Sequence, residues 1–224
     1  MKIHLLDARE TLIDMHDQII QTLEEVYHKA DQQIPLQPLD VTVRASRSSM
    51  PELIINGGCF EPGLVNLFIS PDAIKDKVDI REELASTFAH ELHHASRWDG
   101  PGYGETLGEA LVSEGLAGFF ARELTGAPPA PWETVPTSEL EPFLKRANEE
   151  WSNPDYNHWE WFFGSADFPR WVGYGIGHMI ASAYLQATGK TAAQSVLTEH
   201  ENFHPYLRED INRASTPYNS NQEL

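Results

Sequence analysis

The chain has 224 residues, 41% of them hydrophobic and 10% aromatic, enough apolar material for one packed domain and too much for a disordered or fibrous protein. Its 16 basic and 34 acidic residues leave a formal charge of −18, which repels phosphate backbones and anionic lipid, so neither nucleic acid nor a membrane surface is expected as a partner. The opening Met1–Asp7 has too short an apolar run for a signal peptide, and no stretch approaches the ~18 apolar residues of a membrane span, so a cytoplasmic location is expected.

Apolar residues Leu12, Met15, Ile19, Leu23 and Val26 recur at steps of three and four, which predicts an amphipathic helix from Ala8 to about Ala30. Leu39–Ala45 alternates in the manner of a strand, a short strand is expected at Leu53–Ile55, and Asn56-Gly57-Gly58 reads as a turn. The lone cysteine, Cys59, has no internal disulfide partner and reads as a small buried residue rather than a nucleophile. Leu64–Ile69 is the clearest strand. Asp79 with Glu82 has the capping-box pattern and opens a helix running from Ile80 to Arg97. Further helices are expected over 105–124, 138–150, 171–187 and 192–200, with an irregular aromatic stretch between Trp151 and Trp171. That stretch is either a satellite hydrophobic cluster or the wall of a substrate cleft. Glycines 173, 175 and 177 weaken their helix by about 1 kcal/mol each, which suggests close packing there. Strands before a helical remainder predict an α+β fold in a single domain, residues 1–212, followed by a mobile polar tail, 213–224.

The chemistry gathers at His90-Glu91-Leu92-His93-His94, an H-E-x-x-H pattern. At about 100° per residue, His94 falls about 40° from His90 around the helix, so both imidazoles share one edge; His93 falls about 300° away and reads as a flanking residue. Two such histidines can hold zinc, with Glu91 beside them as general base to a metal-bound water. After 19 intervening residues comes Glu114, whose helical neighbours Ala110, Ala117 and Gly118 leave room for another backbone. It is the preferred third ligand, with Glu109 as its rival. Arg97 and Gly100 stand where H-E-x-x-H-x-x-G-x-x-H requires glycine and histidine, so a third histidine ligand is excluded. Tyr174 and His178, four apart on one helix face, are candidate catalytic donors to an oxyanion.

His-Glu-Leu-His-His, then Glu-Ala-Leu-Val-Ser-Glu-Gly-Leu-Ala from Glu109, then Gly173-Tyr174-Gly175-Ile176-Gly177 resemble the gluzincin zinc peptidases and, more narrowly, the DUF2268 family of predicted Zn-dependent proteases. The resemblance spans about residues 80–190. It implies a zincin-like fold with a small N-terminal mixed sheet, zinc on His90, His94 and Glu114, Glu91 as base, and Tyr174 ahead of His178 as oxyanion donor. Thermolysin-like enzymes carry an aspartate four residues after the ligand glutamate, where it orients a histidine; here that position is Gly118. In zincins a strand bordering the active-site helix binds extended substrate, and Leu64–Ile69 is the expected strand. The implied activity is peptide-bond hydrolysis on peptides or small unfolded proteins. The alternative is a non-catalytic module whose metal joins two helices.

Overall fold

The computed structural model describes residues 1–46, 53–76, 79–166 and 168–209; the tail expected from 213 onward lies outside the described residues. Among them the fold is α+β, with four strands and nine helices. Two compact units are present: Met1–Gly100 with Phe120–Pro128, and Pro101–Phe119 with the described residues from Pro129 onward.

The first unit contains β1 (Lys2–Leu5), α1 (His16–Asp31), β2 (Asp40–Ala45), β3 (Ile55–Glu61), β4 (Leu64–Ile69), α2 (Pro71–Lys75) and α3 (Arg81–Trp98). The sheet has the order β1-β2-β4-β3, with β1 and β4 parallel to β2 and β3 antiparallel to β4. Register pairs Val41 with Val65 and Val43 with Leu67, so the alternating apolar residues of two strands form one fully buried face. On the other face the Thr42 hydroxyl donates to Asn66 at 2.8 Å. Helix α3 packs on α1 and lies against β3 and β4.

Several expectations are corrected here. Strand β1 was not anticipated, because its four residues are too short for a periodic signal. The first helix starts at His16 rather than Ala8, since the Asp7 carboxylate accepts the N–H groups of Thr11 and Leu12 at 2.7 and 2.9 Å and winds the intervening residues into turns. Asn56-Gly57-Gly58 lies inside β3, and the turn falls at Pro62-Gly63, where Gly63 has φ of +76°. Strand β4 sits between β2 and β3, so Leu64–Ile69 has no free edge for a substrate; β1 and β3 are the outer strands, and β3 is the one beside β4. The capping box at Asp79 does not form. Its carboxylate is drawn to the Arg81 guanidinium at 2.6 Å and accepts the Arg81 N–H at 3.1 Å, and the helix begins one residue later than expected.

The second unit holds the first part of α4 (Leu107–Thr125), up to Phe119, then α5 (Thr137–Glu149), α6 (His158–Phe163), α7 (Val172–Thr188), α8 (Ala192–Ser195) and α9 (His204–Glu209). The glycines of α7 each meet a neighbour. A Cβ on Gly173 would lie 2.8 Å from Phe162, one on Gly175 would lie 2.8 Å from Leu140, and one on Gly177 would fall on the carbonyl oxygen of Leu111. Gly115 on α4 answers Gly177 in the same way, its missing Cβ pointing at the Gly177 carbonyl. The two helices therefore cross backbone to backbone, one residue from Glu114 and one residue from His178. Trp161, Phe162 and Phe168 are buried, with the Arg146 guanidinium over the Trp161 and Phe168 rings, so most of the aromatic stretch is core. Trp159 is its exposed exception, 59% accessible. The helix expected over 192–200 stops at Ser195. Among the described residues no helix is long and apolar enough to cross a membrane.

Candidate metal centre

Helix α3 holds the outer strand β3 along most of its length. Near its start the Glu83 carboxylate accepts the N–H groups of Ile54 and Ile55 at 2.8 and 2.9 Å, and at its end the Trp98 indole donates to the Cys59 carbonyl at 2.7 Å. Residues 83, 91 and 98 share one helix face, so Glu91 is brought onto the strand between these two anchors. Its carboxylate rests on Gly57: a Cβ there would come within 2.6 Å of Glu91 Cγ and Oε1. Glycine is therefore required at 57 by close approach, not by a turn. Replacing Gly57 by alanine is expected to push the carboxylate aside. Zinc affinity should hold while kcat falls by about 100-fold, the order of loss that a misplacement near 1 Å produces, as steady-state kinetics and zinc titration would record.

One turn along α3 from His90, the ring of His94 meets it edge to face, with centroids 4.6 Å apart and the two Nε2 atoms separated by 2.9 Å. Glu91 and His94 are buried, whereas His90 is half-buried. His93 is fully buried with Phe120 beside it at 5.4 Å. Cys59 is also buried. Its thiol is pushed well above its usual range by that burial first and then by the nearby charges of Glu91, Asp99 and Glu61, which disfavours the thiolate.

Glu114 is buried on α4, and the Tyr103 hydroxyl donates to its Oε1 at 2.8 Å. Tyr103 stands in the loop ahead of α4, after Gly102 with φ of +97°. The Tyr156 hydroxyl donates to the Gly104 carbonyl at 3.2 Å and lies 3.0 Å from His158 Nδ1. Burial, then the charges of Glu114 and Glu109, raise the Tyr156 hydroxyl above its usual range. His158 is held below its usual range by desolvation, which outweighs the opposing charge of Glu114. Glu109 is used otherwise. Its Oε2 accepts the N–H groups of Glu105 and Thr106 at 2.7 and 3.3 Å, closing the start of α4.

On α7, Tyr174 packs against Trp132 and edge-on to Phe162, with centroids 5.5 and 4.9 Å away. The His178 ring stacks flat on Phe119 at 4.6 Å and 5°. Its Nδ1 lies 3.9 Å from Glu133 Oε2. The other oxygen of Glu133 fills the place that a side chain at Gly118 would take, with Cδ 3.2 Å from the missing Cβ. The space beside Gly118 is thus filled by a carboxylate from the Pro131–Thr134 turn.

One ligand atom each from His90, His94 and Glu114 lies within 4.8 Å of the other two. Two imidazole nitrogens and one carboxylate oxygen suit zinc, which takes nitrogen and oxygen donors and in open sites uses three protein ligands. Sequence patterns did not single out Tyr103, Tyr156 or Glu133, which reach their places through loops and turns, or His158, the first residue of α6. Gly57 was visible only as a glycine. A family model described as Predicted Zn-dependent protease (DUF2268) matches residues 13–204 of the chain. A search of curated proteins finds no match.

Proposed function

Because the chain belongs to the DUF2268 family of predicted Zn-dependent proteases, we propose that it is a zinc peptidase, with the metal on His90, His94 and Glu114 and Glu91 as general base. The observation that carries this reading is the convergence of the three ligand atoms within 4.8 Å. Zinc there would lower the pKa of a bound water and polarise the scissile carbonyl. Glu91 is placed to act as the general base, taking a proton from the attacking water and returning it to the amine nitrogen as the C–N bond breaks. Tyr174 or His178 donates to the carbonyl oxygen as it gains charge. Tyr103 fixes the orientation of Glu114 through its hydroxyl.

The substrates are peptides or small unfolded proteins, and the part of the outer strand β3 beside Glu91, between the Glu83 and Trp98 anchors, is the edge along which an extended chain would pair. A purely structural metal site has no use for a buried acid next in sequence to a ligand, so Glu91 favours catalysis over a metal-joined interaction module. Glu114→Ala tests the ligand set. Zinc affinity should fall by more than about 100-fold, beyond the 10- to 100-fold expected when only an outer partner is lost. An alanine variant that binds zinc as tightly as the native protein removes Glu114 from the set.

A further inference from the structure

Glu133 belongs to no pattern in the sequence, yet its side chain is only 5% exposed and its two oxygens have separate places. One fills the notch over Gly118; the other faces His178 Nδ1 at 3.9 Å. A carboxylate this buried requires compensation, because removing a charge from water costs several kcal/mol unless a partner of opposite charge or a hydrogen-bond donor meets it. His178 is held from two directions. Phe119 fixes the plane of its ring by stacking, and Glu133 faces its Nδ1. Nδ1 is a buried atom although 23% of the His178 side chain is exposed, so the accessible part of the ring lies away from Nδ1.

We propose that Glu133 is a positioning residue that orients His178, holding Nδ1–H toward its carboxylate so that Nε2–H is presented to the carbonyl oxygen of a peptide at the bond-breaking step. The proposal rests on the zinc peptidase reading and deepens it by choosing His178 as the oxyanion donor. Donation from Nε2 while Nδ1–H points toward the carboxylate requires N–H at both ring nitrogens, which only the doubly protonated imidazole has. Proton balance is unaffected, since His178 lends a hydrogen bond and Glu91 carries the transferred proton. Gly118 is part of the device, because any side chain there would displace the carboxylate.

The zinc-loaded protein and its Glu133→Gln, Glu133→Asp, Gly118→Ala and His178→Gln variants test this together. In Glu133→Gln and Gly118→Ala, kcat should fall by about 10- to 100-fold, short of or equal to the loss of an oxyanion donor itself, with KM changed by less than about threefold. Glu133→Asp should recover part of the loss. The double variant Glu133→Gln/His178→Gln should lose no more than His178→Gln alone, and an N-phosphoryl dipeptide, an anionic tetrahedral mimic, should bind the single variants more weakly in the same proportion. Zinc affinity and unfolding temperature should stay at native values, which a merely structural role would not allow. Native kcat in both Glu133→Gln and Gly118→Ala would overturn the proposal. Nitrogen-15 NMR of His178 decides independently of cleavage: both ring nitrogens should carry protons in the native protein and only one of them in Glu133→Gln. A native His178 with a bare ring nitrogen refutes the proposal even if peptide cleavage is confirmed, whereas a doubly protonated ring in a protein that cleaves nothing places the failure in the peptidase reading.

Discussion

Glu91→Gln is expected to leave zinc bound at the native level while lowering kcat by about 10²- to 10⁴-fold, the range that a general base contributes. Glutamine has the length and shape of glutamate, so it can occupy the same place against Gly57 without crowding the strand. It cannot accept a proton from water at neutral pH. The loss should appear in kcat and kcat/KM alike, because the base acts only in the bond-making step. Metal analysis and steady-state kinetics on the same preparation separate this outcome from unfolding. Equal activity in the two proteins would withdraw the base assignment and leave the metal as a structural joint.

Gly177→Ala should destabilise the protein even though alanine is the better helix former by about 1 kcal/mol. The new methyl group would fall on the Leu111 carbonyl oxygen and crowd the Gly115 N–H at 3.3 Å. Both obstacles are backbone, so relief requires moving one helix axis rather than turning a side chain. Overpacking of this kind costs about 1 to 3 kcal/mol and can exceed it where no side chain yields. A net loss of about 2 kcal/mol would lower the unfolding temperature by roughly 4 to 8 °C in a chain of this size. Zinc affinity should fall too, since Glu114 adjoins the same crossing. A melting temperature at or above the native value would show that the helices have slack there.

The site was more legible than the strands around it. His90, Glu91 and His94 follow from helical spacing alone, because 3.6 residues per turn carries their geometry directly into the sequence. Glu114 was approached through the small residues around it, and Gly115 and Gly118 are now seen to admit the Gly177 carbonyl and the Glu133 carboxylate. The glycines of α7 likewise read correctly as close packing. Gly57 and Gly58 misled, since glycine in a loop and glycine under a neighbouring side chain look alike until the neighbour is known. Strand order was equally hidden: Leu64–Ile69 has the best strand pattern because β4 is interior and buried on alternate residues, which is the property that denies it a free edge. Tyr103 and Glu133 are fixed by contacts between loops and helices, which leave no periodic trace.

The most direct test is to measure zinc content and peptide cleavage on one preparation before chelation, after chelation and after zinc is restored. One zinc per chain, with cleavage lost on chelation and regained in proportion to the metal returned, is the predicted result. A purified protein that takes up no zinc, or that cleaves peptide equally well without it, would contradict the assignment of His90, His94 and Glu114 as the catalytic metal site.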